Sequence, residues 1–217
     1  MSKLPWVALS LALAAFFAAY YASTSLQPSY EVNASLYLKV RGPGVDQTLP
    51  LGWAVVGEWG ARQYTWARLA LQGVYIDVYS ATEGGRNYTS LCVGDICQKV
   101  QLPVSAAPAT GLVKLGEAKT GELGPCSHLG KVGRLYKVEV PLDWSLVSEI
   151  TRQPTVANST VEGYFCEEGK TPLWALIRVA ITFHNGQTFL VEYHINATRT
   201  APFNQSRYQE VLKRAKG

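Results

Sequence analysis

Charge is thin in this chain. Asp, Glu, Lys and Arg make up 17% of its 217 residues, against about 25% in an ordinary soluble domain. Aspartate is confined to Asp46, Asp77, Asp95 and Asp143, histidine to His128, His184 and His194, and Met1 is the only methionine. A blue-copper centre needs two His and usually an axial Met, which excludes Cys126-Ser127-His128. Structural zinc uses paired C-x₂₋₄-C knuckles, and Cys92 to Cys97 is a single near-match. G-x-S-x-G, P-loop and Rossmann glycine patterns are absent. No cofactor, metal ligand or catalytic residue emerges, and no enzyme is expected. The net charge is +4, but its one basic cluster is Lys213-Arg214-Ala215-Lys216. Nucleic-acid binding would need a basic face or a known module.

What the chain does have is apolar and aromatic residues, including six Trp and twelve Tyr. They concentrate in Val161 to Asn196. Leu173, Trp174, Leu176, Ile177, Val179, Ile181 and Phe183 precede Asn185-Gly186. Phe189, Leu190, Val191, Tyr193 and Ile195 follow it. Asn-Gly between such runs predicts a hairpin with a two-residue type I′ turn, because both central positions need positive φ. That turn pairs Ile181 with Leu190 and Arg178 with Tyr193. One face then carries Ile177, Val179, Ile181, Phe183 and Leu190. The other carries Trp174, Leu176, Ala180, Phe189, Val191, Tyr193 and Ile195. A strand pair apolar on both faces is covered on both, by protein or by ligand. Arg178 and Glu192 are the unusual charges here. Pairing with each other or with backbone is expected, since unpaired buried charge is costly.

The N-terminus reads as a membrane address. Leu4 to Ala22 is an uncharged apolar run of nineteen residues behind Lys3, nearly enough to span a hydrocarbon core of about 30 Å as helix. Lys3 keeps that end cytoplasmic, and Tyr20 and Tyr21 suit an outer aromatic belt. A cleaved signal peptide is the alternative, but its apolar region is usually shorter and ends in small residues. Either way residues 23–217 lie outside the cytoplasm, with 23–30 as a polar tether and 31–217 as the domain.

Two further signals agree with export. Five of the six Asn stand in Asn-x-Ser/Thr sequons: Asn33, Asn87, Asn158, Asn196 and Asn204. With Ser and Thr at 29 of 217 residues, chance gives about one such match. Sequons mark exposed sites in secreted chains, so N-glycans are expected at all five. The four cysteines are even in number, as in oxidised exported proteins. Of three connectivities, loop geometry favours Cys92–Cys97 closing a hairpin and Cys126–Cys166 as a long-range clasp.

Elsewhere, strands are expected at Glu31 to Arg41, 50–60, Tyr64 to Leu71, Val74 to Ser80, Tyr88 to Cys92, Ile96 to Leu102 and Leu135 to Val140. Residues 103–112 read as loop. Asp143 N-caps a helix from Trp144 to Arg152. Residues 196–204 form an exit loop, and Ser206 opens a last helix with Gln209 completing a capping box. The class is α+β, mainly antiparallel: a curved sheet, as unclosed barrel or sandwich, with a few covering helices.

The segment Gly163-Tyr-Phe-Cys166-Glu-Glu-Gly169-Lys-Thr-Pro172-Leu173, with Asn185-Gly186 and Ala201-Pro-Phe-Asn204 after it, resembles exported archaeal relatives of the LolA/LppX-type lipoprotein carriers. The resemblance covers about residues 31–205. It implies an unclosed barrel whose helices cap an apolar concavity that holds acyl chains. The cysteines and sequons lie outside the bacterial pattern. A lipid or other apolar ligand held against Trp174, Leu176, Phe189, Val191 and Tyr193 is one reading. A structural or interaction subunit of a cell-surface complex is the other, favoured if no pocket exceeds a few hundred Å³.

Overall fold

The computed structural model describes residues 29–71, 73–99, 119–140 and 156–217. The expected anchor over 4–22, the loop over 103–112 and the helix Trp144 to Arg152 lie outside these residues. Among the described residues, no helix is long and apolar enough to cross a membrane.

Eleven strands form one antiparallel sheet: β1 (Ser29–Gly42), β2 (Val45–Trp59), β3 (Arg62–Leu71), β4 (Val74–Glu83), β5 (Arg86–Val93), β6 (Ile96–Lys99), β7 (Lys119–His128), β8 (Lys131–Val140), β9 (Val156–Glu168), β10 (Thr171–Phe183) and β11 (Thr188–Ala201). Their order is β6-β5-β4-β3-β2-β1-β11-β10-β9-β8-β7. Each half is a meander of hairpins, and the halves join in the middle where β1 pairs β11. The two ends do not pair, so the barrel is unclosed. No second sheet is present among the described residues, which removes the sandwich alternative.

The central hairpin forms, but with a different turn. Phe183 N donates to Gln187 O, and Gly186 N donates to Phe183 O. Gly186 has φ +80°. This is a three-residue loop ending in a left-handed glycine, steadied by Gln187 N donating to Asn185 Oδ1 at 3.0 Å. The extra loop residue moves the register by one: Ala180 faces Leu190, Ile181 faces Phe189 and Arg178 faces Glu192. A one-residue slip moves a whole strand's side chains to the other face. Phe189, Val191, Tyr193 and Ile195 therefore share a face with Ile177 and Val179, not with Trp174 and Leu176.

The corrected register gives the two faces different chemistry. One row across the sheet reads Leu36, Ile195, Ala175, Phe165 and Tyr136. On the opposite face a row reads Lys39, Glu192, Arg178, Glu162 and Glu139. The expectation of two apolar faces fails here. The second face is covered by its own ion pairs rather than by a greasy layer.

Helix α1 (Gln205–Lys216) covers that second face further along the sheet. Its buried residues Tyr208, Val211, Leu212 and Ala215 follow helical spacing and make one stripe. They pack with Val55, Tyr64, Tyr79, Ala81 and Cys92. The helix starts earlier than expected. Asn204 is the N-cap, its side chain accepting from Arg207 N at 3.0 Å, so Ser206 lies inside the first turn. β11 likewise runs to Ala201 through the expected exit loop. β7 went unpredicted because Gly121, Gly124 and Pro125 break its pattern. It is an edge strand, where proline is tolerated.

Both expected disulfides are present. Cys92 and Cys97 face each other across β5 and β6. Cys126–Cys166 links β7 to β9 across the intervening β8. No free cysteine remains.

Candidate apolar binding site

At the end of the sheet where β1 begins, the first apolar face lines a cavity of about 150 Å³. Its walls come from β1 (Val32, Ala34), β2 (Val56), β3 (Thr65), β4 (Ser80), β9 (Phe165), β10 (Leu173, Trp174, Ala175) and β11 (Ile195, Ala197). β4 and β9 are six strands apart, which in a flat sheet at about 4.8 Å per strand would separate them by roughly 30 Å. They line one small cavity because the sheet curls. Small side chains at Ala34, Ala175 and Ala197 leave the space, and Phe165 and Leu173 close its floor. A bulge at Leu173, between the pairs Pro172–Glu167 and Trp174–Cys166, turns both Leu173 and Trp174 toward the cavity.

Thr65 and Ser80 put hydroxyls on the wall, and a group of tyrosines and carboxylates lies at the end where β1 begins. Tyr30 Oη donates to Glu58 Oε2 at 3.0 Å. Tyr64 Oη donates to Glu31, whose other oxygen accepts from Arg207 Nη1. Glu31 and Glu58 are both buried. Burial first, then the Glu58 carboxylate, pushes the Tyr30 hydroxyl well above its usual range. Burial and the hydrogen bond to Glu31 do the same for Tyr64. Both phenols are locked donors, so they orient carboxylates and do not supply a base.

The β7–β8 turn reaches over this end. The His128 ring nitrogen Nε2 lies 2.6 Å from Ala197 O, and Lys131 Nζ lies 2.6 Å from Glu168 Oε2. The Cys126–Cys166 bond holds the same hairpin from below. No group of three or more His, Cys, Asp and Glu suited to a metal occurs among the described residues. His184 sits in the hairpin loop, and His194 Nε2 lies 3.7 Å from Glu192.

Of the five residues expected to hold ligand, only Trp174 lines the cavity. Phe189, Val191 and Tyr193 lie on the concave face but further along it. Leu176 is on the opposite face, paired with His194 and Tyr164. Phe189 instead borders an open depression of about 420 Å³ at the hairpin tip, with Phe183, His184, Asn185 and Gln187. Only five residues, all from one hairpin, form that depression, whereas seven strands wall the smaller cavity, which makes the cavity the better site. Sequence reading missed Tyr30, Val32 and Val56. Tyr30 falls in the expected tether, although Tyr30 and Val32 already alternate in the strand pattern that the structure extends back to Ser29.

Among the sequons, Asn87 is exposed at the start of β5. Asn33 and Asn196 are half-buried within β1 and β11, and Asn204 caps α1. The side chain of Asn158 lies outside the described residues.

No protein-family model and no curated protein matches the chain. Among solved structures it is similar to the lipoprotein LppX of Mycobacterium tuberculosis, at 15% identity and a TM-score of 0.33, over 85% of this chain and 93% of that one. It is similar also to the ywiB protein of Bacillus subtilis, at 8% identity and a TM-score of 0.26, over 78% and 94%. A third is MucB, solved in complex with MucA, at 12% identity and a TM-score of 0.25, over 83% of this chain and 53% of that one.

Proposed function

We propose that this is a membrane-anchored, glycosylated extracytoplasmic domain that binds the end of an acyl chain, or a similarly slender apolar group, inside its curled sheet. One observation carries the reading: seven strands from both halves of the sheet converge on a cavity walled by Val32, Ala34, Val56, Phe165, Leu173 and Ile195. Its volume of about 150 Å³ is that of an apolar void able to hold a benzene-sized molecule. It is below the roughly 300–1,000 Å³ of drug-sized sites. The ligand therefore enters by one narrow apolar segment, not as a bulky or many-chained lipid. On this reading the domain binds and does not catalyse.

The test is binding of a fluorescent fatty acid to the full chain in detergent, with Ala34→Trp as the comparison. Ala34 is buried on the cavity wall, so an indole there fills the space. Saturable binding that Ala34→Trp abolishes supports the reading. Equal binding by both proteins refutes it.

The small volume favours a second reading, a structural or interaction subunit of a surface complex. Cross-linking in intact membranes that captures one partner in stoichiometric amount, from protein free of bound lipid, would establish that instead.

A further inference from the structure

We infer that the rim of the sheet where β1 begins docks on the bilayer that holds the N-terminal anchor, burying Trp59, Leu129 and Val132 in its interface. The inference rests on the anchor reading proposed above, but not on a ligand entering the cavity.

Four turns make this rim, joining β2 to β3, β4 to β5, β7 to β8 and β9 to β10, and the β4–β5 turn is the polar one, with Glu83 and Arg86 exposed on either side of Gly84 and Gly85. Register places them at one end: Ser29 pairs with Trp59, His128 with Lys131 and Thr171 with Glu168. The contact of His128 with Ala197 brings the β7–β8 turn to the β11 end of the same rim. Large apolar side chains face outward here. Trp59 is 50% exposed, Leu129 48% and Val132 70%. Leu129 holds a left-handed backbone at φ +54°, uncommon for a residue other than glycine. Cations stand beside them, with the Arg62 guanidinium 5.2 Å from the centre of the Trp59 ring and Lys131 at the base of the β7–β8 turn. An exposed Trp next to Arg and Lys is the composition of a membrane–water interface.

Exposed apolar groups also occur at the opposite rim, Ile96 above all at 80%. Chain length separates the two. The apolar run ends at Ala22 and β1 begins at Ser29, leaving six residues, 23–28. Six residues reach at most about 20 Å. β1 is 14 residues long, about 45 Å at strand rise. With the opposite rim on the membrane, Ser29 would stand about 45 Å above it, beyond the tether. The flank carrying Lys39, Arg178, Glu162 and Glu139 is charged and unsuited to burial in an apolar interface. End-on docking by the near rim remains. It puts the end of the sheet that holds the cavity toward the lipid.

The experiment uses the full chain in vesicles of phosphatidylcholine and phosphatidylglycerol. Val132→Cys and Ile96→Cys each add one free thiol to a protein whose own cysteines are all paired. Each thiol carries an environment-sensitive fluorophore, read with lipids brominated in the acyl chain as quenchers. We expect the label at 132 to shift to the blue and lose most of its emission to the quencher, and the label at 96 to do neither. No quenching at 132, or equal quenching at both, overturns the docking. Flotation of the vesicles after an alkaline carbonate wash reads the anchor separately. A chain that floats without quenching at 132 keeps its anchor and loses only the docked rim. A chain that does not float loses both.

Discussion

Arg178 and Glu192 face each other across β10 and β11, with Arg178 Nε and Nη2 at 3.1 and 3.0 Å from the same carboxylate oxygen. Arg41 Nη2 takes the other oxygen at 3.2 Å. The Glu192 side chain is 3% exposed, whereas that of Arg178 is 37% exposed. The partners are thus unequal: the arginine can turn to water and the carboxylate cannot. Arg178→Met should cost about 2–3 kcal/mol, the value of hydrogen bonds to a buried charge. Arg178→Met combined with Glu192→Met should recover part of that loss, because no carboxylate is left buried with one oxygen stripped of its two arginine hydrogen bonds. Urea denaturation of the two variants decides.

The two disulfides should differ in worth. Cys126–Cys166 closes a loop with a sequence separation of 40, and Cys92–Cys97 one of 5. Loop-closure entropy assigns them about 4 and about 2 kcal/mol. Replacing Cys126 and Cys166 together by Ala should lower the denaturation midpoint more than replacing Cys92 and Cys97.

Acid should act through Glu162. Lys137 Nζ lies 3.0 Å from its carboxylate, and that hydrogen bond holds the Glu162 carboxyl below its usual value. A depressed folded-state value means the stabilisation is present above about pH 4.3, where an unfolded Glu ionises, and fades as pH falls below it. Glu162→Gln should lower Tm at neutral pH. The gap from the parent should close as the pH is brought down through the carboxylate range.

Alkali should act through Tyr30 and Tyr64. Both hydroxyls are raised above the ordinary value, so the folded state favours their protonated forms. That contribution is complete below about pH 10 and is lost as pH climbs beyond it. A tyrosinate absorbance titration of the folded protein should show a late phase, ionising only on unfolding, that includes Tyr30 and Tyr64. Tyr30→Phe and Tyr64→Phe should each remove one from that late phase.

Two glycines make a paired test. Gly52 has φ +134°, and a Cβ there would meet Arg68 O at 1.9 Å. Gly60 has φ +58° with open space around it. Gly60→Ala should cost about 1–2 kcal/mol, the left-handed penalty alone. Gly52→Ala should cost more, because a backbone carbonyl has to move as well. Thermal melts of both variants are the check.

The strands were legible in the sequence wherever alternation was uninterrupted, as in β1, β3, β4 and β10. Asn185-Gly186 marked the turn but not its length, since the same pair serves a two-residue loop and a three-residue one. That single residue decided which face Phe189 and Tyr193 share, and so separated them from Trp174 and Leu176. Sequence reading placed Cys126 opposite Cys166 by loop geometry without seeing β7, whose glycines and proline hide an edge strand. The cavity was not legible. It depends on curvature and on Ala34, Ala175 and Ala197, where small size rather than any motif makes room.

The pairing of β1 with β11 has a consequence for how the molecule is made. Each half-sheet folds from neighbours in sequence, but the seam matches Glu31 with Ala201, and α1 then closes over β3, β4 and β5. A chain threaded outward from its N-terminus holds its first six strands ready while their border along β1 waits for almost the last residues to arrive. Assembly ends where the polypeptide began, and a truncation that removes β11 leaves that border open.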